Sequence, residues 1–145
     1  MIAYIDTSVL IPIVIREPSS DACRRIWDEA RLLLSTRLLY VEAAAVLTQA
    51  VKVGRLERKT FGRRLERLRE LRQDVQWIEL DSDLTESAAM FATNFGLRGH
   101  DATHCAAGAA IGTEGTVLAS GDRRMLEIWS DLGFSTFDPN RSGPG

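Results

Sequence analysis

Apolar residues form two kinds of pattern along this chain. Five short runs, at 2–5, 31–35, 75–80, 116–120 and 134–137, are rich in apolar or β-branched residues and predict β-strands. Between them, apolar residues recur at helical spacing. This spacing predicts helices that begin near 9 and 20, and others over 38–53, 59–73, 82–96, 101–111 and 123–132.

Polar residues mark where several of these helices begin. Thr7 and Ser8 are predicted to cap the first helix, and the serine pair at 19–20 the second. Asp83 followed by Glu86 has the spacing of a capping box at the start of the helix over 82–96.

Strands that alternate with helices predict an α/β fold with a mainly parallel central sheet, covered by helices on both faces. The 145 residues fit one domain, and 45% hydrophobic content is enough for a sizeable core. We expect a single domain over 1–139 and a short disordered tail over 140–145, which ends in Ser-Gly-Pro-Gly.

Four acidic residues lie beside the predicted core elements. Asp6 ends the first strand, and Glu42 lies in the first turns of the helix over 38–53. Asp101 opens a helix of small residues, and Asp122 follows the fourth strand. Because ligands of open parallel sheets bind beyond the carboxyl ends of the strands, we expect these four side chains to converge.

The convergent acids predict a shared cation site. A carboxylate beside a core element is costly unless it is paired, solvated or bound to a metal. With only carboxylates and the hydroxyls of Thr7, Ser8 and Ser120 as donors, the set favours Mg²⁺ or Mn²⁺ over zinc. The alternative is that each acid caps a helix or lies on the surface, and for Asp6 capping is an equally good explanation.

Charge is unevenly distributed along the chain. Residues 55–72 contain eight Arg or Lys and three Glu, a net charge of +5, so the remainder must carry −7 for the chain to total −2. Arg63, Arg64 and Arg67 are therefore candidates for contacts with RNA phosphates, although a solvated helix face explains them equally well. The three tryptophans fall in apolar stripes and predict core positions, so no aromatic stacking surface is apparent.

His104 lies three residues after Asp101 on the same helical face. It either orients a ligand or contacts phosphate, or it is a packing residue of the core. The two cysteines, Cys23 and Cys105, have no metal-ligand spacing and predict buried, reduced thiols. No secretory signal is evident, and no apolar run approaches the ~20 residues needed to span a bilayer, so we expect a cytoplasmic protein.

Taken in order, these motifs resemble the PIN domain. They are a first strand ending in Asp-Thr-Ser, a Glu early in a helix, Asp-Ala-x-His at a helix start, and Ser-Gly-Asp-Arg after an apolar strand. Chain length and the order of elements are similar to the VapC-type toxins of type II toxin–antitoxin modules. The resemblance runs from Met1 to about Pro139.

The resemblance implies a three-layer α/β/α fold with Asp6, Glu42, Asp101 and Asp122 as ligands of Mg²⁺ or Mn²⁺. It further implies an endoribonuclease that cleaves RNA phosphodiesters by a metal-activated water, a small antitoxin that blocks the site, and a homodimer. Ser120, and Thr7 or Ser8, match hydroxyl positions of the family.

Other functions fit the sequence less well. A haloacid-dehalogenase-like phosphatase needs a second Asp where this chain has Ser8, and a receiver domain needs a late Lys, whereas none follows Lys59. The alternative that remains is a PIN-like module without turnover, which acts by binding RNA or a protein.

Overall fold

The computed structural model describes residues 1–141. Its strands are β1 (Ile2–Ile5), β2 (Leu32–Thr36), β3 (Val75–Ile78), β4 (Thr116–Ala119) and β5 (Thr136–Phe137). Its α-helices are α1 (Thr7–Val14), α2 (Ser20–Glu29), α3 (Leu38–Lys52), α4 (Phe61–Leu71), α5 (Ser82–Phe95), α6 (Gly99–Ile111) and α7 (Arg123–Asp131). Single 3₁₀ turns, Arg58–Thr60 and Arg72–Asp74, flank α4.

The strands form one sheet in the order β3-β2-β1-β4-β5, and every pairing is parallel. The chain first builds outward from β1 to β2 and β3, and then returns to the other side of β1 for β4 and β5. The order therefore reverses between β1 and β4. In open α/β sheets a crevice opens at such a switch point, beyond the carboxyl ends of the two strands.

Successive residues of β1 point to opposite faces of the sheet, which produces two separate cores. Ala3 and Ile5 pack with the apolar residues of α1–α4, whereas Tyr4 packs with those of α5–α7. Both faces are thus covered by helices, because strands that are apolar on both sides cannot leave either side in water. The predicted three-layer α/β/α architecture is confirmed, and the sheet is entirely parallel.

The helix starts differ from the predicted caps. Asp6, rather than Thr7 or Ser8, is the N-cap of α1 and accepts a hydrogen bond from Ser8 N at 3.1 Å. Asp81, rather than Asp83, caps α5 and accepts from Leu84 N at 2.8 Å. In both cases a carboxylate just outside the helix reaches the free N–H groups of its first turn better than a side chain inside it does.

At the C-terminus, Asn140 and Arg141 have described positions, while the rest of the predicted tail, 142–145, lies outside the described residues. Both cysteines are buried and free. Burial raises the pKa of Cys23 to about 11 and that of Cys105 to about 12, so both remain thiols at neutral pH. Within the described residues, no helix is long and apolar enough to cross a membrane.

Candidate active site

One cavity of about 410 Å³ opens at the carboxyl edge of the sheet, and all four predicted acids line it. Each acid arrives from a different element: Asp6 from the end of β1, Glu42 from α3, Asp101 from α6, and Asp122 from the loop after β4. The structure therefore brings together residues that are up to 116 positions apart in the sequence. The other lining residues include Thr7, Ser8, His100, His104, Gly121 and Asn140.

Asp6 is the most deeply buried of these acids, with 5% of its surface exposed. Ser8 Oγ donates to its Oδ1 and Ser120 Oγ to its Oδ2, each at 2.5 Å. Asp6 is thus at once a helix cap and a site residue, so the two explanations offered by the sequence are not exclusive. Hydroxyl donors on both oxygens fix the carboxylate in one orientation.

The charge of Asp6 is nevertheless costly. Burial raises the pKa of its carboxyl above the usual range, against the opposing effects of the nearby His104 and of hydrogen bonds from Ser120 and Ser8. A carboxylate whose pKa is raised by desolvation lacks a sufficient positive charge nearby. A bound cation would supply that charge.

The loop after β4 closes tightly against the start of α1. Gly121 N donates to Ser8 Oγ at 2.6 Å. A Cβ atom on Gly121 would lie 3.0 Å from Asn140 Nδ2 and 3.3 Å from Ser8 Oγ, so a side chain here would crowd both neighbours. Asp122 follows at once and caps α7 by accepting from Met125 N at 3.2 Å.

Glu42 is held by a buried chain of hydrogen bonds. His104 Nε2 lies 2.6 Å from Glu42 Oε1, and Thr7 Oγ1 donates to the same oxygen at 3.2 Å. An ionised carboxylate only accepts, so with Glu42 in that form this contact requires the proton on His104 Nε2. On the other side of the ring, the Tyr4 hydroxyl lies 2.6 Å from Nδ1. Tyr4 is fully buried, and burial raises the pKa of its hydroxyl well above the usual value, so it stays protonated.

Asp101 is the most loosely held of the four acids. Its carboxylate accepts from Arg98 Nε at 3.3 Å and lies 3.4 Å from His100 Nε2. The Arg98 side chain is 78% exposed, and exposed ion pairs of this kind contribute little free energy. Asp101 can therefore exchange these partners for a ligand in the cavity at little cost.

The donor set suits a hard divalent cation. The four carboxylates and the neighbouring hydroxyls are all oxygen donors, which Mg²⁺ and Mn²⁺ prefer. As the side chains stand, no three His, Cys, Asp or Glu residues among those described lie close enough to hold one ion. Glu42 and Asp101 are each turned to a protein partner. Binding therefore requires side-chain rotation, chiefly of the loosely held Asp101.

The three arginines predicted to contact RNA lie outside the cavity. Arg64 donates to the carbonyl of Val14 at 3.0 Å, and Arg67 donates to Glu70 at 3.4 Å. Arg63 is exposed on α4. Their contact with RNA stays a prediction.

Two residues at the site, Tyr4 and Asn140, were not predicted from the sequence. Tyr4 carried a usable signal, because a tyrosine inside a buried strand needs a partner for its hydroxyl. Asn140, whose Nδ2 donates to the Gly121 carbonyl at 3.4 Å, carried none, since its place depends on how the chain returns after β5.

Comparison with known proteins places these motifs in one family. Residues 3–129 match the family model of the PIN domain. Ribonuclease VapC46 of Mycobacterium tuberculosis is 30% identical over 137 residues, which cover 94% of this chain and 97% of the relative.

Solved structures agree on the fold. The crystal structure of Mycobacterium tuberculosis VapC20, described as a sarcin–ricin loop cleaving toxin, superposes with a TM-score of 0.66 at 18% identity and covers 92% of this chain and 96% of its own. A toxin–antitoxin complex from Klebsiella pneumoniae gives 0.65 at 14% identity and covers 98% of this chain and 100% of its own.

Proposed function

The chain belongs to the PIN-domain family, and we propose that it is a divalent-metal-dependent endoribonuclease that acts as the toxin of a toxin–antitoxin pair. The observation that carries the proposal is the convergence of Asp6, Glu42, Asp101 and Asp122 on one cavity at the switch point of the sheet. Relatives named as ribonucleases support the nuclease activity.

The four carboxylates would hold Mg²⁺ or Mn²⁺. When bound, such a cation supplies an activated water for attack on phosphorus and positive charge for the leaving oxygen. This suits phosphodiester cleavage, which needs positioned positive charge more than a protein nucleophile.

The chain's own side chains keep two of the carboxylates in place. Ser8 and Ser120 hold Asp6 through both of its oxygens, and His104 with Thr7 holds Glu42. These contacts lower the entropy cost of binding a cation, because the two carboxylates are already ordered before the ion binds. Asp101 is left free to adjust, since its partners lie at the surface.

Partners and assembly follow from the family. We propose RNA as substrate, a small antitoxin that inhibits cleavage, a homodimer, and a cytoplasmic location. The solved complexes between relatives of this fold and antitoxins support the antitoxin. A single nuclease domain over 1–139 is part of the same proposal, and the match of the family model to 3–129 supports it.

Replacement of a single acid tests the activity. Asp101→Asn should reduce cleavage of bulk RNA in Mg²⁺ to the level of the wild type in EDTA, because it removes a ligand while leaving the hydrogen bonds of Asp6 and Glu42 intact. The matched control is Asp131→Asn, which removes an exposed acid at the end of α7 and should cleave like the wild type.

The alternative, a PIN-like module that only binds RNA or protein, predicts no cleavage by any of these proteins. Wild-type activity in Asp101→Asn, in preparations free of contaminating nuclease, would remove Asp101 from the site.

A further inference from the structure

A second cleft, of about 500 Å³, lies away from the carboxylates and combines cations with aromatic rings. We propose that it binds a single-stranded segment of the RNA substrate, with Arg72 on a phosphate and a base stacked against the aromatic–guanidinium surface. The inference deepens the proposed function and rests on it. The cleft is lined by Arg37, Tyr40, Val41, Arg72, Gln73 and Trp77.

Arg72 is a cation held in place with its charge still available. Its guanidinium carbon lies 4.2 Å from the centroid of the Tyr40 ring. Among residues 1–141 it has no carboxylate partner within ion-pair distance, in contrast to Arg67 and Arg69 of the preceding helix. A guanidinium ordered by a ring and not neutralised by an acid is suited to bind a phosphate, since less side-chain entropy is lost on contact.

A second stacked pair forms another part of the cleft wall. Arg37 lies 5.7 Å from the centroid of Trp77 and makes an ion pair with Glu79, in which Nε donates to both carboxylate oxygens at 2.8 and 3.0 Å and Nη2 lies 2.8 Å from Oε1. The ion pair holds the exposed Arg37 side chain near the Trp77 ring. RNA bases stack on aromatic rings and on guanidinium planes alike, so this pair offers a flat surface of the right kind.

Trp77 departs in part from the expectation that all three tryptophans are core residues. Trp77 was predicted to be core, yet it is only partly buried, because β3 is the edge strand and has no neighbour beyond it. Val41, beside it in the cleft, is 64% exposed. Trp27 and Trp129 are buried as predicted.

The cleft and the carboxylate cavity lie on different sides of α3, because Tyr40 lines the cleft, Glu42 lines the cavity, and residues two apart on a helix do not face each other. Arg37 follows β2 at the carboxyl edge of the sheet at which Asp6 ends β1, whereas Arg72 precedes β3 at the other edge. An RNA strand that occupies both must pass the start of α3, where Arg37 lies, and extend well beyond the cleaved bond.

The chemistry favours RNA over a protein partner. Exposed apolar surface in the cleft is limited to Val41 and two partly buried rings, whereas a stable protein interface needs a larger apolar centre. The Arg72 guanidinium suits a phosphate, and the amide of Gln73, which can donate and accept, suits a base edge.

Binding in EDTA separates this inference from catalysis. We would measure the affinity of a labelled 12-nucleotide single-stranded RNA by fluorescence anisotropy over a range of KCl concentrations. Arg72→Gln should weaken binding several-fold and make the slope of log K against log salt shallower by about 0.7, the value of one phosphate contact on a single strand. Arg72→Lys should restore the slope but only part of the affinity, because an ammonium keeps the charge and loses the stacking plane.

The matched control is Arg124→Gln, an exposed arginine that also lies over a ring, that of Phe95, but on α7 at the opposite face of the sheet, and it should bind like the wild type. Annealing the RNA to its complement should reduce the difference between wild type and Arg72→Gln to that of the phosphate contact alone, because paired bases are not free to stack.

Arg72→Gln indistinguishable from Arg124→Gln in affinity and slope would overturn the inference, and the cleft would then belong to another partner. Failure of the proposed function looks different: the wild type would bind this RNA with the predicted Arg72 dependence and cleave none in Mg²⁺.

Discussion

His104 Nε2 lies 2.6 Å from Glu42 Oε1, which joins α6 to α3 across the site over 62 positions of sequence. Only 3% of the His104 side chain is exposed although it lines the cavity, so we expect it to act through Glu42 and not directly on a substrate. A buried donor that fixes a metal-binding carboxylate changes how well the ion is held without contacting the reacting atoms.

His104→Ala should therefore raise the Mg²⁺ concentration needed for half-maximal RNA cleavage by roughly 10- to 100-fold, because Glu42 loses the donor that orients it. Saturating Mg²⁺ should recover part of the rate. Titration of cleavage rate against Mg²⁺ measures this.

Tyr4→Phe is the companion variant for His104→Ala. It keeps the ring packing of Tyr4 against Trp129 and removes only the hydroxyl that contacts Nδ1, so we expect a smaller shift in the same direction. A lowered melting temperature with an unchanged Mg²⁺ requirement in His104→Ala would mean that the histidine only fills space.

Asp6→Asn should stabilise the metal-free protein, and more so as the pH rises. Burial raises the folded-state pKa of Asp6 above the unfolded-state value of about 3.9. Below that pH the Asp6 carboxyl is protonated in both the folded and the unfolded state, so its ionisation does not change the free energy of unfolding. As the pH rises further, Asp6 ionises first in the unfolded state. This lowers the free energy of unfolding of the wild type until the pH passes the folded-state pKa. Melting temperatures of both proteins in EDTA from pH 4 to pH 8 should diverge; a constant gap would contradict the assignment.

With Mg²⁺ present, the wild type should become more stable than Asp6→Asn. At ten to a hundred times its dissociation constant, an ion that binds only the folded state stabilises the wild type by roughly 1.4–2.7 kcal/mol. Asp6→Asn, which lacks one ligand, should gain much less. Equal Mg²⁺ shifts in the two proteins would mean that Asp6 is not part of a metal site.

Gly108→Ala should destabilise the fold by roughly 1–3 kcal/mol. A Cβ atom at this position of α6 would lie 2.7 Å from Trp129 Cζ2, and Trp129 is fully buried with its Nε1 donating to the Cys105 carbonyl at 2.9 Å. The ring cannot move without breaking that bond.

The matched control for this change is Gly62→Ala on α4, where a Cβ atom meets nothing within 4 Å. It should stabilise the helix by roughly 0.5–1 kcal/mol. Denaturant unfolding of the two variants measures both effects. If Gly108→Ala were as stable as the wild type, the contact between α6 and Trp129 would have room for the added methyl group.

Much of the site could be predicted because its signals are local. Asp6 and Asp122 directly follow apolar strands, and the carboxyl ends of parallel strands share an edge. The caps were less predictable. Asp6 and Asp81 compete with neighbouring Thr, Ser and Asp residues of equal capping preference, and a shift of one or two residues in the helix start decides which side chain reaches the free N–H groups.

The sequence by itself determined the alternation of strands and helices, the α/β class and the four acids, because hydrophobic period and residue type act over a few neighbouring positions. Only the tertiary structure decided that β4 pairs with β1 and leaves β3 at the edge. That pairing puts Asp122 beside Asp6, seats Ser120 on the Asp6 carboxylate, and exposes Trp77 to Arg37. These contacts join residues 40 to 116 positions apart, and their choice depends on which packing buries both faces of the whole sheet at once.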